Sequence, residues 1–557
     1  MPKRRALFLS LFLLISTLIP AHADNPSSIS SAWPPMPRDY RNSPLLGYHW
    51  GIVDSFSTGA QALSLIQVPQ SSNNLCNSFD EPACSEGKRS GWFTNAVMPP
   101  CDNSITTNCI EGLNVETSDG NFLTYKLVKL ASAPTWKADD AHANVVGSAP
   151  SLWSPSGQNE EHGLIVNSAG AIAFSNTSDT KHGVLTDIKF SIRAYKKIIG
   201  PSYQPLKACP ISPGLYVNCG NGGPDCMWQD TGECGVRDYF VGIKKITLNV
   251  LLDVSVNTSW MFGRLGNGNI KVLVIDGNRQ RITITGEPIN IPLFAFDIPL
   301  DKLPLDVVEY MKTKACTVQP TCSQGYAGGN SESSSSFSQT TFEKLSPFLG
   351  DTASISIPTW SVSNFYLDQN YPQLCQNLSD IGLVTTNASI YDGGPPRFDG
   401  QNLIYRVAAL HKTEAGEIFK GSYSLQISSR FARCLFNLTN APVKAVVEVI
   451  DNAGTKEVTT TSFKEQDGQM IFAVNGFTFS SPTIQVRLLQ DQVLTPTTSP
   501  SPTAFPTPAA TPTISTASPS ESPKVLTKIK SIMCVKGKLT KKISGTNPKC
   551  PSGYKQK

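Results

Sequence analysis

The sequence predicts an all-β protein: stacked β-sandwich domains, the C-terminal one immunoglobulin-like, followed by a disordered linker and a small disulfide hairpin at the tip. Three observations predict it. Apolar residues recur at every second position in several stretches, the period that sets them on one face of a strand. Turn signals rich in Asp, Asn and Gly separate those stretches at short intervals. The 14 cysteines stand at close, mostly pairwise spacings that suit crosslinked loops.

Residues 1–23 open the chain. Lys3, Arg4 and Arg5 precede the apolar run ALFLSLFLLISTLIP, and Ala21-His22-Ala23 follows it. A basic start, a short apolar stretch and an A-x-A site read as a cleaved secretory signal peptide. The run has 15 residues, fewer than the ~20 a spanning helix needs. The expected mature protein starts near Asp24, has no transmembrane segment after cleavage, and is secreted, extracellular or associated with the cell surface.

Residues 24–312 read as one or more disulfide-rich β domains. In ITLNVLLDVSV, Ile246, Leu248, Val250, Leu252, Val254 and Val256 alternate onto one strand face. IKVLVIDGNRQRITIT is a hairpin signal, with Ile270, Val272 and Val274 before a turn at Asp276-Gly277-Asn278 and Ile282 and Ile284 after it. LPLDVVEYMKTK is a helix candidate, with Pro304 suited to its first turn. Residues 313–344, which contain SQGYAGGNSESSSSFSQTT, break the composition and read as a Ser/Gly-rich loop or linker.

Residues 345–494 read as the immunoglobulin-like sandwich. Turns are expected around Glu414 to Gly416 and at Asp451-Asn452-Ala453-Gly454, and PTIQVRLLQ supplies a last strand with Ile484, Val486 and Leu488 inward. In residues 495–523, 22 of 29 positions are Pro, Ser or Thr, too polar and proline-rich for a core, so this is an extended linker. Residues 524–557 form a basic, lysine-rich tip.

The charge is uneven. The formal net charge is +4, but residues 1–23 supply +3 and the ten lysines of 524–557 supply +10, which leaves −9 for 24–523. An acidic body joined to a basic end signals an interaction tail.

Outside the cytosol an even cysteine count argues for disulfides over metal or redox chemistry. Cys76/Cys84, Cys101/Cys109 and Cys226/Cys234 each enclose seven residues, and Cys209/Cys219 and Cys316/Cys322 are also close. Cys375 is left to pair with Cys434, and Cys534 with Cys550. The cluster Cys209, Cys219, Cys226 and Cys234 leaves its connectivity open.

Candidate sites compete with bland readings. KADDAHA and NEEHG place Asp139 and His142, and Glu160 and His162, where zinc or acid–base chemistry would need them, although such acids and histidines in polar loops are usually only solvated. Asp225 and Asp230 lie in a glycine-rich, cysteine-bounded loop with the oxygen ligands calcium takes, but the spacing departs from the EF-hand pattern. No cofactor is expected, and calcium is the one candidate. Trp136, Trp153, Trp228, Trp260 and Trp360 offer a sugar-stacking platform or, the favoured reading, core under the sheets. The sequence contains no G-x-S-x-G, phosphate loop or dinucleotide fingerprint, so no catalytic residue is assigned.

At the tip, a Cys534–Cys550 bridge would display Lys536, Lys538, Lys541, Lys542 and Lys549 on a compact loop for loose contact with polyanions. Nucleic acid is not an expected partner, because the tip has one aromatic, Tyr554, and no arginine.

The segment from LIYRVAALH through SRFARCLFNLTNAPVKAVVEVIDNAGTKEV to NGFTFSSPTIQVRL resembles a C-terminal region of uncharacterised secreted or cell-surface proteins of actinobacteria. The ending CVKGKLTKKISGTNPKCPSGYK is similar to a short module that follows Pro/Thr linkers in exported proteins of that group. The resemblance implies a cell-surface or extracellular setting and carries no catalytic residues. The expected function is that of an exported, non-catalytic cell-surface protein with a structural or adhesive role, its tip tethered to envelope polyanions or surface polysaccharide. The alternative is an extracellular polysaccharide-binding protein or a polysaccharide-acting hydrolase. A pocket that gathers two carboxylates with a Trp, or the two histidine clusters, would favour the alternative.

Overall fold

The structure is a computed structural model that describes residues 47–53, 63–67, 75–76, 93–136, 145–174, 183–212, 215–218, 226–315, 326–330, 336–364, 371–376, 382–451, 454–457, 460–479, 483–490, 530–536, 539–545, 550 and 554–556. The expected signal peptide and the 495–523 linker therefore lie outside the described residues. The chain divides into two compact units, Met1–Asp491 and Gln492–Lys557.

The first unit is all-β, and its sheets stack as the sequence predicts. One layer runs Phe122–Leu130, Cys109–Thr117, Ile243–Asp253, Arg279–Glu287 and Gly266–Val274, each antiparallel to the next. Alternation does what it should here: Ile246, Leu248, Val250 and Leu252 are all buried, because every second side chain of a strand faces the same way. The strand stops at Asp253, whose carboxylate accepts from the Ser255 amide at 2.8 Å while the Val256 amide donates to the Asp253 carbonyl at 3.1 Å. That turn leaves Val254 exposed and returns Val256 to the core, so the expected single face is two residues shorter. The hairpin turns as expected, with Asp276 Oδ1 accepting from the Asn278 and Arg279 amides at 3.0 and 2.9 Å. Ile270, Ile282 and Ile284 are buried, but Val274 is 65% exposed: the tip from Leu273 to Asn278 is exposed throughout and packs beneath no other layer.

The facing layer is built on two long strands, His162–Phe174 and Gly183–Ile199, paired from His162↔Lys196 to Phe174↔Gly183. Ile355–Asn364 joins them through Trp360↔Ile192, Trp260–Arg264 joins next, and Gly382–Thr386 follows in parallel. Between the layers Leu113, Leu248, Leu164, Val166, Phe190, Ile192 and Trp360 close a single apolar core. The same sheet continues through Gly421–Ser428 and Gln469–Phe477 to Thr460–Gln466. This half covers a second, smaller sheet that contains Leu403–Ala408, Thr483–Leu489 and Lys444–Ile450. Tyr405, Tyr423, Leu425, Phe472, Ile484 and Val486 fill the space between them.

The expected split between 24–312 and 345–494 is not what the strands build. Ile355–Asn364 pairs with three upstream strands, Gly183–Ile199, Trp260–Arg264 and Ile289–Pro299. The expected linker at 313–344 also enters the fold. Tyr326–Asn330 runs parallel to Gly47–Val53, and the helix Ser336–Leu345 buries Phe342 and Leu345 among Ile291, Phe294, Ile390 and Ala408. Its serine-rich composition hides an apolar pair at i, i+3 spacing, which is enough to dock one helical face.

The Cys375–Cys434 bridge forms, across a separation of 59 residues. It ties the short helix Gln373–Gln376 to the helix Ser429–Leu435, whereas an immunoglobulin domain ties strand to strand across its two sheets. Cys101–Cys109 and Cys226–Cys234 are also bonded, as their spacing predicts. Cys76 and Cys550 stand in disulfides, and no cysteine among the described residues is free. The side chains of Cys84, Cys209, Cys219, Cys316, Cys322 and Cys534 lie outside the description.

The second unit contains the expected hairpin, Lys530–Lys536 against Leu539–Gly545. A third strand, Lys555–Gln556, adds to it at Cys534 and Val535. Lys541 and Lys542 occupy register positions opposite Cys534 and Met533, and Lys536 sits opposite Leu539. Lys538 and Lys549 lie outside the described residues. No helix among the described residues is long and apolar enough to cross a membrane.

Candidate binding cleft

At one end of the upstream sandwich, the strands starting at His162 and Gly183 run beside Glu233–Arg237. Register aligns the side chains: His162 stands opposite Lys196, Lys196 opposite Val236, and Tyr195 opposite Arg237. Directly opposed residues share a face, so His162, Lys196 and Val236 project to one side of the sheet and Tyr195 and Arg237 to the other. The chain leaves the third strand at Asp238, whose amide donates to the Ala194 carbonyl at 3.0 Å. The result is a cleft of about 570 Å³ lined by Tyr125, Glu160, His162, Tyr195, Arg237 and Asp238 among others.

Its polar groups are held in place. Asp238 Oδ2 lies 2.9 Å from His162 Nδ1, while Asp238 Oδ1 accepts from the Tyr239 amide at 2.8 Å. A carboxylate at Nδ1 fixes both the ring and its tautomer. On the other side of the ring, Nε2 lies 3.8 Å from Glu161 Oε1, which is also 3.6 Å from Lys196 Nζ. The loop before His162 is strapped down as well. Ser154 Oγ donates to the Gln158 carbonyl at 2.9 Å, Ser156 Oγ donates to Glu160, and the Lys197 amide donates to the Glu161 carbonyl at 2.7 Å. Gly157 turns that loop in the left-handed region, at φ +75°, where a glycine is unstrained.

Tyr195 is buried, and its hydroxyl has no hydrogen-bond partner among the described residues. Burial, followed by the negative charges of Glu160 and Glu233, pushes its phenol up to about 12. Burial also raises the Tyr125 phenol, with Glu160 adding to it. Gly163 makes room for the Tyr195 ring: a Cβ there would stand 2.9 Å from Tyr195 Cε1 and 2.6 Å from the Trp153 carbonyl.

Of the residues singled out by sequence, Glu160 and His162 come together here, whereas Asp139, His142 and Asp225 lie outside the described residues. Asp230 serves elsewhere. It lies 3.2 Å from Lys129 Nζ, and Glu233 pairs with the same ammonium, which sits 4.7 Å over the Trp228 ring. These acids neutralise a half-buried lysine. Among the described residues no group of three or more His, Cys, Asp or Glu side chains is placed to hold a metal ion. The five tryptophans are all buried, with Trp360 donating to the Gly286 carbonyl at 3.1 Å; they are core and form no sugar platform.

Tyr125, Tyr195, Lys196, Arg237 and Asp238 were not legible as site residues, because no local spacing joins them. The sequence signal at hand was NEEHG, and its partners arrive from three other strands. No protein-family model, no curated protein and no solved structure matches this chain.

Proposed function

We propose that the chain is an exported, non-catalytic cell-surface protein with a structural or adhesive role, a rigid body tethered through its basic tip to envelope polyanions. The observation that carries this reading is the use of cysteine: three bridges within one β unit and two further bonded cysteines. Disulfides of this density persist where thiols oxidise. The resemblance of the terminal module to those of secreted actinobacterial proteins points the same way. One observation favours the second reading, a polysaccharide-binding protein or polysaccharide-acting hydrolase: Glu160 and Asp238 line one cleft.

Fractionation of cells producing the chain tests the location. The protein is expected in the envelope or culture fluid, lacking residues 1–23, with its 14 cysteines resistant to alkylation until reductant is added. Retention in the cytosol, or two or more reactive thiols in exported protein, would contradict the reading.

A further inference from the structure

We infer that the cleft at His162 and Asp238 is a binding site for a neutral saccharide. The inference rests on the adhesive reading above and gives it a site. Four observations carry it.

The cleft is large enough: about 570 Å³ falls within the ~300–1,000 Å³ of small-ligand sites. Its charges are of both signs. Glu160 and Asp238 stand beside Lys196 and His162 on the same lining, so an anion meets two carboxylates and a cation meets the lysine ammonium. Sugar hydroxyls donate and accept at once, and they match a surface of alternating donors and acceptors. The polar groups are also preorganised by the Asp238–His162 and Ser156–Glu160 hydrogen bonds, which lowers the ordering cost of binding. Tyr125 and Tyr239 add ring surface to the same lining, of the kind on which sugar C–H faces pack.

The test is titration calorimetry on the full chain at high salt, which screens the basic tip. The probes are maltotetraose, cellotetraose, mannotetraose and chitotetraose, with trigalacturonate as the anionic comparison. At least one neutral probe is expected to bind, more tightly than trigalacturonate. His162→Ala should weaken it roughly tenfold, the scale of one or two lost hydrogen bonds. Val241→Arg fills the mouth at a residue 79% exposed and therefore tolerant of change, and should abolish binding with an unchanged melting temperature. Absence of binding by all four neutral probes, preference for trigalacturonate, or binding that survives both His162→Ala and Val241→Arg overturns the inference. Because these measurements use purified protein in solution, their failure leaves the fractionation result, and with it the surface reading, standing.

Discussion

Four tyrosines show what burial does at the scale of the residue. Tyr195, Tyr371, Tyr405 and Tyr423 are all buried, and burial is the first cause of the raised phenol of each, with that of Tyr195 reaching about 12 from 10.0. A raised pKa favours the neutral form in the fold. The corresponding stability is whole below the unfolded value near 10 and is lost as pH rises through the folded one. Alkaline titration followed by tyrosinate absorbance and circular dichroism should therefore show exposed tyrosines ionising first, and the buried set ionising only as the fold is lost, from about 12 upward for Tyr195. Ionisation of every tyrosine near 10 with the dichroism intact would contradict the burial described here. Residue type made much of the core readable: strand alternation placed Ile246, Leu248, Val250, Ile484 and Val486 inside, and all are buried. It did not reveal the buried arginines. Arg264 donates to the Ala388 and Ser389 carbonyls and lies 4.8 Å from the centre of the Tyr391 ring, partners more than a hundred residues away that no local pattern announces.

Among the elements, the helix Ser336–Leu345 separates what composition shows from what packing decides. Serine and glycine around it predict a linker, yet Phe342 and Leu345 lie in one apolar cluster with Ile291 and Phe294 upstream and with Ile390 and Ala408 downstream. A short apolar pair within a polar run has too little periodicity to outweigh its surroundings in sequence. In the fold it joins the two halves of the first unit. Phe342→Ala in the full chain should cost about 3 kcal/mol, the usual penalty for emptying a buried aromatic site. Denaturant unfolding should remain a single transition whether followed in the upstream or the downstream half. A negligible loss, or two separable transitions, would restore the boundary that composition suggests. The Cys375–Cys434 bridge was legible by pairing, but its place between two short helices was not, since neither Gln373–Gln376 nor Ser429–Leu435 has the length to announce itself. The helix Ser429–Leu435 is marked by Ser428 at its N-cap, which accepts from the Phe431 amide, a local device that was open to reading.

For the whole molecule, the governing property is the division of charge between residues 24–523 at −9 and residues 524–557 at +10. The first unit supplies a β body with its own cleft, and the second supplies a three-stranded tip rich in lysine. The hairpin and the charge were both legible, because crosslinked cysteines and lysine runs are local features. The added strand Lys555–Gln556 was not, being only two residues long. Lysines on a small fixed platform make multivalent, solvated contacts with polyanions, and such contacts weaken as the Debye length falls from ~10 Å at 0.1 M salt to ~3 Å at 1 M. The most direct measurement compares the native chain with a Lys536→Glu, Lys541→Glu, Lys542→Glu variant for binding to isolated envelopes across that salt range. The native chain is expected to be retained at the low end and released at the high end, with the variant released throughout. Equal retention of the two proteins, or retention that ignores salt, would contradict the tether.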